Sequence, residues 1–110
     1  MKIPIDQASS LLKALADRSR LQIVEILYDG EKNSKEIEDA LGKCQSTTSQ
    51  HLKVLVDADL LSFRQDGLKK YYKIKPELLE FVASINALAN KITKHKMDSI
   101  VAHEIKDTLL

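Results

Sequence analysis

Residues 34–61 read SKEIEDALGKCQSTTSQHLKVLVDADLL, and the order of signals within them decides the fold. Ile37 and Leu41 stand four apart, on one face of a short helix. Ser34 is the expected N-cap, with an imperfect capping box because Ile37 falls at N3 and Glu38 just beyond it. Gly42 can take the left-handed conformation that ends such a helix. A second helix is expected over residues 45–58, capped by Cys44 or Ser46. Two short helices joined by about three residues, the first closing on glycine, are the sequence form of a helix-turn-helix.

At about 100° per residue the second helix divides into two arcs. Thr48, Leu52, Leu55 and Val56 gather on one side, with His51 and Val54 at its edge. Ser46, Thr47, Ser49, Gln50, Lys53 and Asp57 fall on the other. Short hydroxyls, an amide and an ammonium suit a major groove: hydroxyls reach phosphates or base edges, and Gln pairs bidentately with adenine. The amides at the start of the helix also favour phosphate. The bland alternative is an ordinary solvated face. For His51 a half-buried, hydrogen-bonded imidazole is favoured over a direct DNA contact, and a catalytic role has no matched partner.

Working outward, LLSFR (60–64) and KYYKI (70–74) are strand-like, and Asp66-Gly67 between them is a hairpin signal. Arg64, Lys69 and Lys70 on this hairpin suit backbone phosphates or the minor groove, against the bland reading of solubilising cations. Upstream, Asp17 is the expected N-cap of a helix over residues 18–28, with Leu21, Val24 and either Ile23 or Leu27 as its stripe. Ile5, Ala8, Leu12 and Leu15 form the stripe of a first helix over residues 6–16. Downstream, Pro76 opens a long helix on which Leu78, Phe81, Ile85, Leu88 and Ile92 alternate at spacings of three and four. Met97, Ile100, Val101 and Ile105 suggest that it continues past His95. The predicted class is mainly α with a β-hairpin wing: a winged helix-turn-helix in the order α-α-α-α-β-β-α, dimeric. Residues 1–95 form the expected DNA-binding and dimerisation domain, and 96–110 a helical extension of unassigned role.

Composition agrees once it is divided. The 110 residues carry 17 Lys+Arg and 16 Asp+Glu, a net charge of +1, which alone gives no support to a polyanionic partner. Yet residues 44–75 carry a balance of +3, and each flank −1. Local distribution matters more than the total for such a partner. The single cysteine excludes an internal disulfide. No apolar run approaches the roughly 20 residues of a membrane span, and MKIPIDQASS lacks the apolar region of a signal peptide. A cytoplasmic protein without a membrane partner is expected. No Gly-rich phosphate loop, metal-ligand cluster or nucleophile–base pair argues for an enzyme, and no cofactor is expected.

Three stretches together resemble the ArsR/SmtB family of small dimeric repressors: LLKALADRSRLQIVEIL (11–27), CQSTTSQHLKVLVDADLL (44–61) and FRQDGLKKYYKI (63–74). The resemblance covers roughly residues 8–92. It implies a homodimer that binds a pseudo-palindromic operator in double-stranded DNA, often repressing transcription, with an inducer or metal lowering DNA affinity in many members. It implies DNA contact at Gln45, Ser46, Thr47, Ser49, Gln50 and His51, to which the residues themselves add Lys53, Arg64, Lys69 and Lys70. It implies pairing of the terminal helices with their counterparts, through the stripes at Ile5, Ala8, Leu12 and Leu15 and at Leu78, Phe81, Ile85, Leu88 and Ile92. Arg20 is implied to be structural or near the DNA backbone.

The family's sensing sites do not carry over. Where one metal site has Cys-Val-Cys, this chain has Asn33-Ser34-Lys35. Residues 77–92 contain no histidine, and His95, His103 and Glu104 lie too far along to match the second site. No metal is expected, and the inducer stays unassigned. Cys44, beside the start of the reading helix, is a possible redox site, against the bland reading of a hydroxyl-like spacer. Two other functions compete: a non-specific architectural DNA-binding protein, which would normally be more basic, and a winged-helix module that binds proteins.

Overall fold

The computed structural model describes the backbone of residues 1–109 and the side chains of residues 1–101, so the expectations on His103, Glu104 and Ile105 lie outside the described side chains. Among the described residues the order is α1 (Ile5–Leu15), α2 (Arg18–Leu27), β1 (Lys32–Asn33), α3 (Ser34–Leu41), α4 (Gln45–Asp57), β2 (Leu61–Asp66), β3 (Lys69–Ile74) and α5 (Pro76–Leu109). The chain forms two compact units, Met1–Leu79 and Glu80–Leu110.

In the first unit α2 and α3 each start at a side-chain cap. Asp17 caps α2 by accepting from the Arg20 amide at 3.0 Å. The stripe of α2 is Ile23, Val24 and Leu27, all buried; Leu21 is exposed, which corrects its expected place in the core. The cap of α3 is Asn33, one residue before the expected Ser34. The Glu36 amide donates to Asn33 Oδ1 at 2.9 Å, and the Asn33 amide donates to Glu36 Oε1 at 3.0 Å. Asn33 wins because Glu36 then stands at N3 and completes the reciprocal box, whereas Ser34 would put Ile37 there. Gly42 ends α3 at φ +72°.

The wing is a three-stranded antiparallel sheet in the order β1-β3-β2. The two-residue β1 pairs Lys32 with Tyr72 and Asn33 with Tyr71, and was not expected. The hairpin loop is Gly67-Leu68 rather than Asp66-Gly67, because Asp66 pairs with Lys69 as the last rung. Gly67 has φ +62° and Leu68 does not share a positive φ, the pattern of a two-residue loop with glycine first.

The core of this unit joins Ala14 and Leu15 of α1, the α2 stripe, Ile37, Leu52, Leu55, Leu60, Leu61 and Ile74. The expected stripe of α1 is only partly covered: Leu15 is buried, but Ile5 and Leu12 are 67% and 56% exposed. The second unit is carried by α5. Along it Phe81, Leu88 and Ile92 are exposed, with Ile85 half-buried. Ser84 and Thr93 return their hydroxyls to the carbonyls of Glu80 and Ala89, both at 3.0 Å, so their polar groups are satisfied within the helix.

Candidate nucleic-acid interface

The three-residue turn Gly42–Cys44 sets α4 across the unit with one face held in the core. Thr48, Leu52 and Leu55 are buried on that face, as the helical spacing requires. Gln45, Ser46, Ser49, Gln50 and Lys53 are exposed, and Thr47 is half-buried. The expected reading face therefore stands outward in solvent. Lys53 forms an i,i+4 pair with Asp57, 3.1 Å apart, on this exposed surface; such pairs are weak and easily exchanged for another anion.

His51 sits differently. Its side chain is 19% exposed, with Nδ1 3.9 Å from Asp17 Oδ2. Nδ1 also lies 3.4 Å from an Arg20 guanidinium nitrogen. Arg20 Nε donates to the Ala14 carbonyl at 2.6 Å, and a second nitrogen reaches the Lys13 carbonyl at 3.4 Å. Arg20 thus satisfies carbonyls at the end of α1 and meets the edge of α4 in one side chain. The Arg20 amide, and less strongly its guanidinium, hold the Asp17 carboxyl below its ordinary pKa.

Cys44, the N-cap of α4, is exposed and makes no side-chain bond to the helix amides in the usual capping manner. Its Sγ lies 3.4 Å from Ser46 Oγ and 3.3 Å from Thr47 Oγ1. These hydroxyls stabilise the thiolate and bring the thiol down to about 7.

On the wing, Arg64 is already engaged. Its guanidinium grips Glu31 through two nitrogens, at 3.0 and 2.7 Å, and lies 4.4 Å from the Tyr71 ring centroid. The pair lowers the Glu31 carboxyl and raises the Arg64 guanidinium. Lys70 Nζ stands 5.2 Å over the Phe63 ring.

A cleft of about 820 Å³ opens between α3, the outward face of α4 and the wing. It brings together Gln45, Ser49 and Lys53 from the helix with Lys69 and Lys70 from the wing. Ser46, Thr47, Gln50, His51 and Arg64 do not line it. Lys35 of α3, Gln65 of β2 and Leu68 of the hairpin loop do, and were not anticipated; the apolar spacing marks the inward face and says nothing of which outward residues border a cleft. Among the described residues there is no group of three or more His, Cys, Asp or Glu side chains able to hold a metal ion. No described helix is long and apolar enough to cross a membrane.

Comparison with known proteins agrees with this geometry. Residues 17–62 match the family described as bacterial regulatory protein, arsR family. The arsenical resistance operon repressor of Staphylococcus xylosus is 36% identical over 76 residues, spanning 69% of this chain and 73% of that protein. The solution structure of a homodimeric winged helix-turn-helix DNA-binding domain from Mycobacterium bovis, from a possible ArsR-family regulator, superimposes with a TM-score of 0.79 at 32% identity, covering 83% of this chain and 85% of that one. HlyU from Vibrio cholerae gives a TM-score of 0.73 at 31% identity, over 80% and 97% of the two chains. With a family match across the reading helix and a relative 36% identical over most of both chains, the chain belongs to the ArsR family of bacterial regulatory proteins.

Proposed function

We propose that this protein is a homodimeric transcriptional repressor that binds a pseudo-palindromic operator in double-stranded DNA. In this reading α4 lies in the major groove, and Ser46, Thr47, Ser49 and Gln50 address base edges and phosphates. Gln45 and Lys53 flank that face, and His51 contributes from its edge. Residues 62–74 approach the backbone or minor groove through Lys69 and Lys70. Arg64 contributes only where phosphate displaces it from Glu31.

The observation that carries the reading is the outward polar face of α4, of which Gln45, Ser49 and Lys53 line the same cleft as the wing lysines while Ser46 and Gln50 stand exposed beside it. The apolar stripes of α1 and α5 support dimerisation, each helix against its counterpart: of Ile5, Ala8, Leu12 and Leu15 the bare positions are Ile5 and Leu12, and of Leu78, Phe81, Ile85, Leu88 and Ile92 they are Phe81, Leu88 and Ile92. The Mycobacterium bovis domain is described as homodimeric, and the staphylococcal relative as an operon repressor. Operator binding would locate the protein in the cytoplasm. Arsenical sensing does not transfer with the likeness, because Asn33-Ser34-Lys35 supplies no thiolate. Cys44 is a second candidate for control, since a thiol held near neutrality at the start of α4 is open to oxidation.

Selection of genomic fragments by the purified protein, followed by footprinting, tests the reading. One protected, two-fold symmetric site is expected. Uniform coverage would favour an architectural protein, and no binding at low salt a protein-interaction module. Repeating the measurement with peroxide and with zinc tests the two switches: oxidation is expected to weaken binding, and zinc to leave it unchanged.

A further inference from the structure

We propose that Leu68 is an apolar wedge that enters the minor groove and favours a deformable base step beneath it, an inference that rests on the DNA-binding reading above. Leu68 is the second residue of the hairpin loop and is 102% exposed, so nothing in its own unit uses the side chain. Tips of two-residue loops ordinarily carry Gly, Asn, Asp or Ser. A lone exposed leucine on a protein surface needs no explanation. Three features lift this one above that background.

The first is position. Leu68 borders the cleft that also holds Ser49 and Lys53 of α4, so it stands beside the surface that faces DNA. The second is support. Asp66 and Lys69 close the loop as its last paired residues, and Gln65 Nε2 donates to the Gly67 carbonyl at 3.4 Å. Behind the tip Phe63 and Tyr72 pack with ring centroids 5.8 Å apart. An ordered tip loses little conformational freedom on docking. The third is the state of the cations. Arginine is a favoured reader of a narrow minor groove, but Arg64 is clamped by Glu31 at 2.7 Å. Lys69 and Lys70 beside the tip supply attraction to phosphate without reading sequence. Leu68 is left as the wing's non-electrostatic contact with the base pairs.

Leucine wedges act by partly unstacking a base step, and pyrimidine–purine steps yield most easily. The operator should therefore carry a TA or CA/TG step where the wing tip reaches. This preference arises without a hydrogen bond to any base.

The test uses the duplex selected by the wild-type protein, with 2-aminopurine substituted at that step. Wild-type binding should raise its fluorescence, as unstacking requires. Leu68→Ala should bind about tenfold more weakly and lose most of the rise, while Leu68→Met should retain both. Replacing the flexible step by a stiff A-tract should weaken wild type and leave Leu68→Ala nearly unaffected. Equal affinity and equal fluorescence for wild type and Leu68→Ala would overturn the wedge while leaving DNA binding intact. Failure of the wild-type protein to bind any duplex would overturn the DNA-binding reading, and the wedge with it.

Discussion

The helix-turn-helix and the terminal helices are patterned alike but covered differently. In α2, α3 and α4 the apolar positions Ile23, Leu27, Ile37, Leu52 and Leu55 are buried within the chain. In α1 and α5 equally regular stripes leave Leu12 and Leu88 more than half exposed, at 56% and 59%. Periodicity reports that a face is apolar; it does not report what covers it. Faces already covered build the reading unit, and faces left bare are those assigned to a second copy.

Substitutions on the two sides of this contrast should behave differently. The largest effect is expected at the covered side. Leu55→Ala should lower unfolding stability by about 2–5 kcal/mol in denaturant titration, because it opens a cavity in the core. Leu88→Glu should instead leave the helical circular dichroism at high protein concentration intact and weaken dimerisation by roughly a hundredfold in sedimentation equilibrium, by setting a charge in an apolar interface. If Leu88→Glu left the dimer unchanged, the bare stripe of α5 would not be its contact. A smaller change is expected at a local start signal: Asn33→Ala should cost about 1 kcal/mol, since the Glu36 amide loses its Oδ1 acceptor while the backbone amide of residue 33 can still donate to Glu36.

The mildest test concerns the first turn of α4. Alkylation of Cys44 should accelerate with a midpoint near pH 7, because its folded-state thiol sits at about 7. Ser46→Ala with Thr47→Val should move that midpoint upward. Since the folded value lies below the ordinary thiol value, the associated stabilisation is fully present above the ordinary value and is lost as pH falls through about 7. A midpoint at the ordinary thiol value in the wild-type protein would contradict the two hydroxyl contacts.

What could be read from sequence followed the range of the interaction. The inward and outward arcs of α4 were legible because one residue in every three or four repeats the same environment. The cap of α3 slipped by one because Asn33 and Ser34 are both capping residues, and Glu36 three positions on decides between them. The hairpin loop slipped by one for a similar reason: Gly67 belongs to either loop, and cross-strand pairing of Asp66 with Lys69 chooses. Strand β1 is two residues long and has no alternation to detect. The engagement of Arg64 was invisible, since its partner Glu31 lies 33 positions away and is brought near by the sheet. The same holds for the meeting of Arg20 with His51, 31 positions apart. These long-range pairs decide which cations of the candidate site are available, so the sequence places the candidate residues on α4 and the hairpin but does not show which of their cations are already paired.

The central claim is that two chains present two α4 helices to one two-fold symmetric operator. Sedimentation of the wild-type protein with its selected duplex, beside a duplex with one half-site scrambled, tests it most directly. Two chains on the intact operator are expected, with binding weakened by about a hundredfold when one half is scrambled. A single chain per duplex, bound equally well to the scrambled and intact operators, would contradict the account.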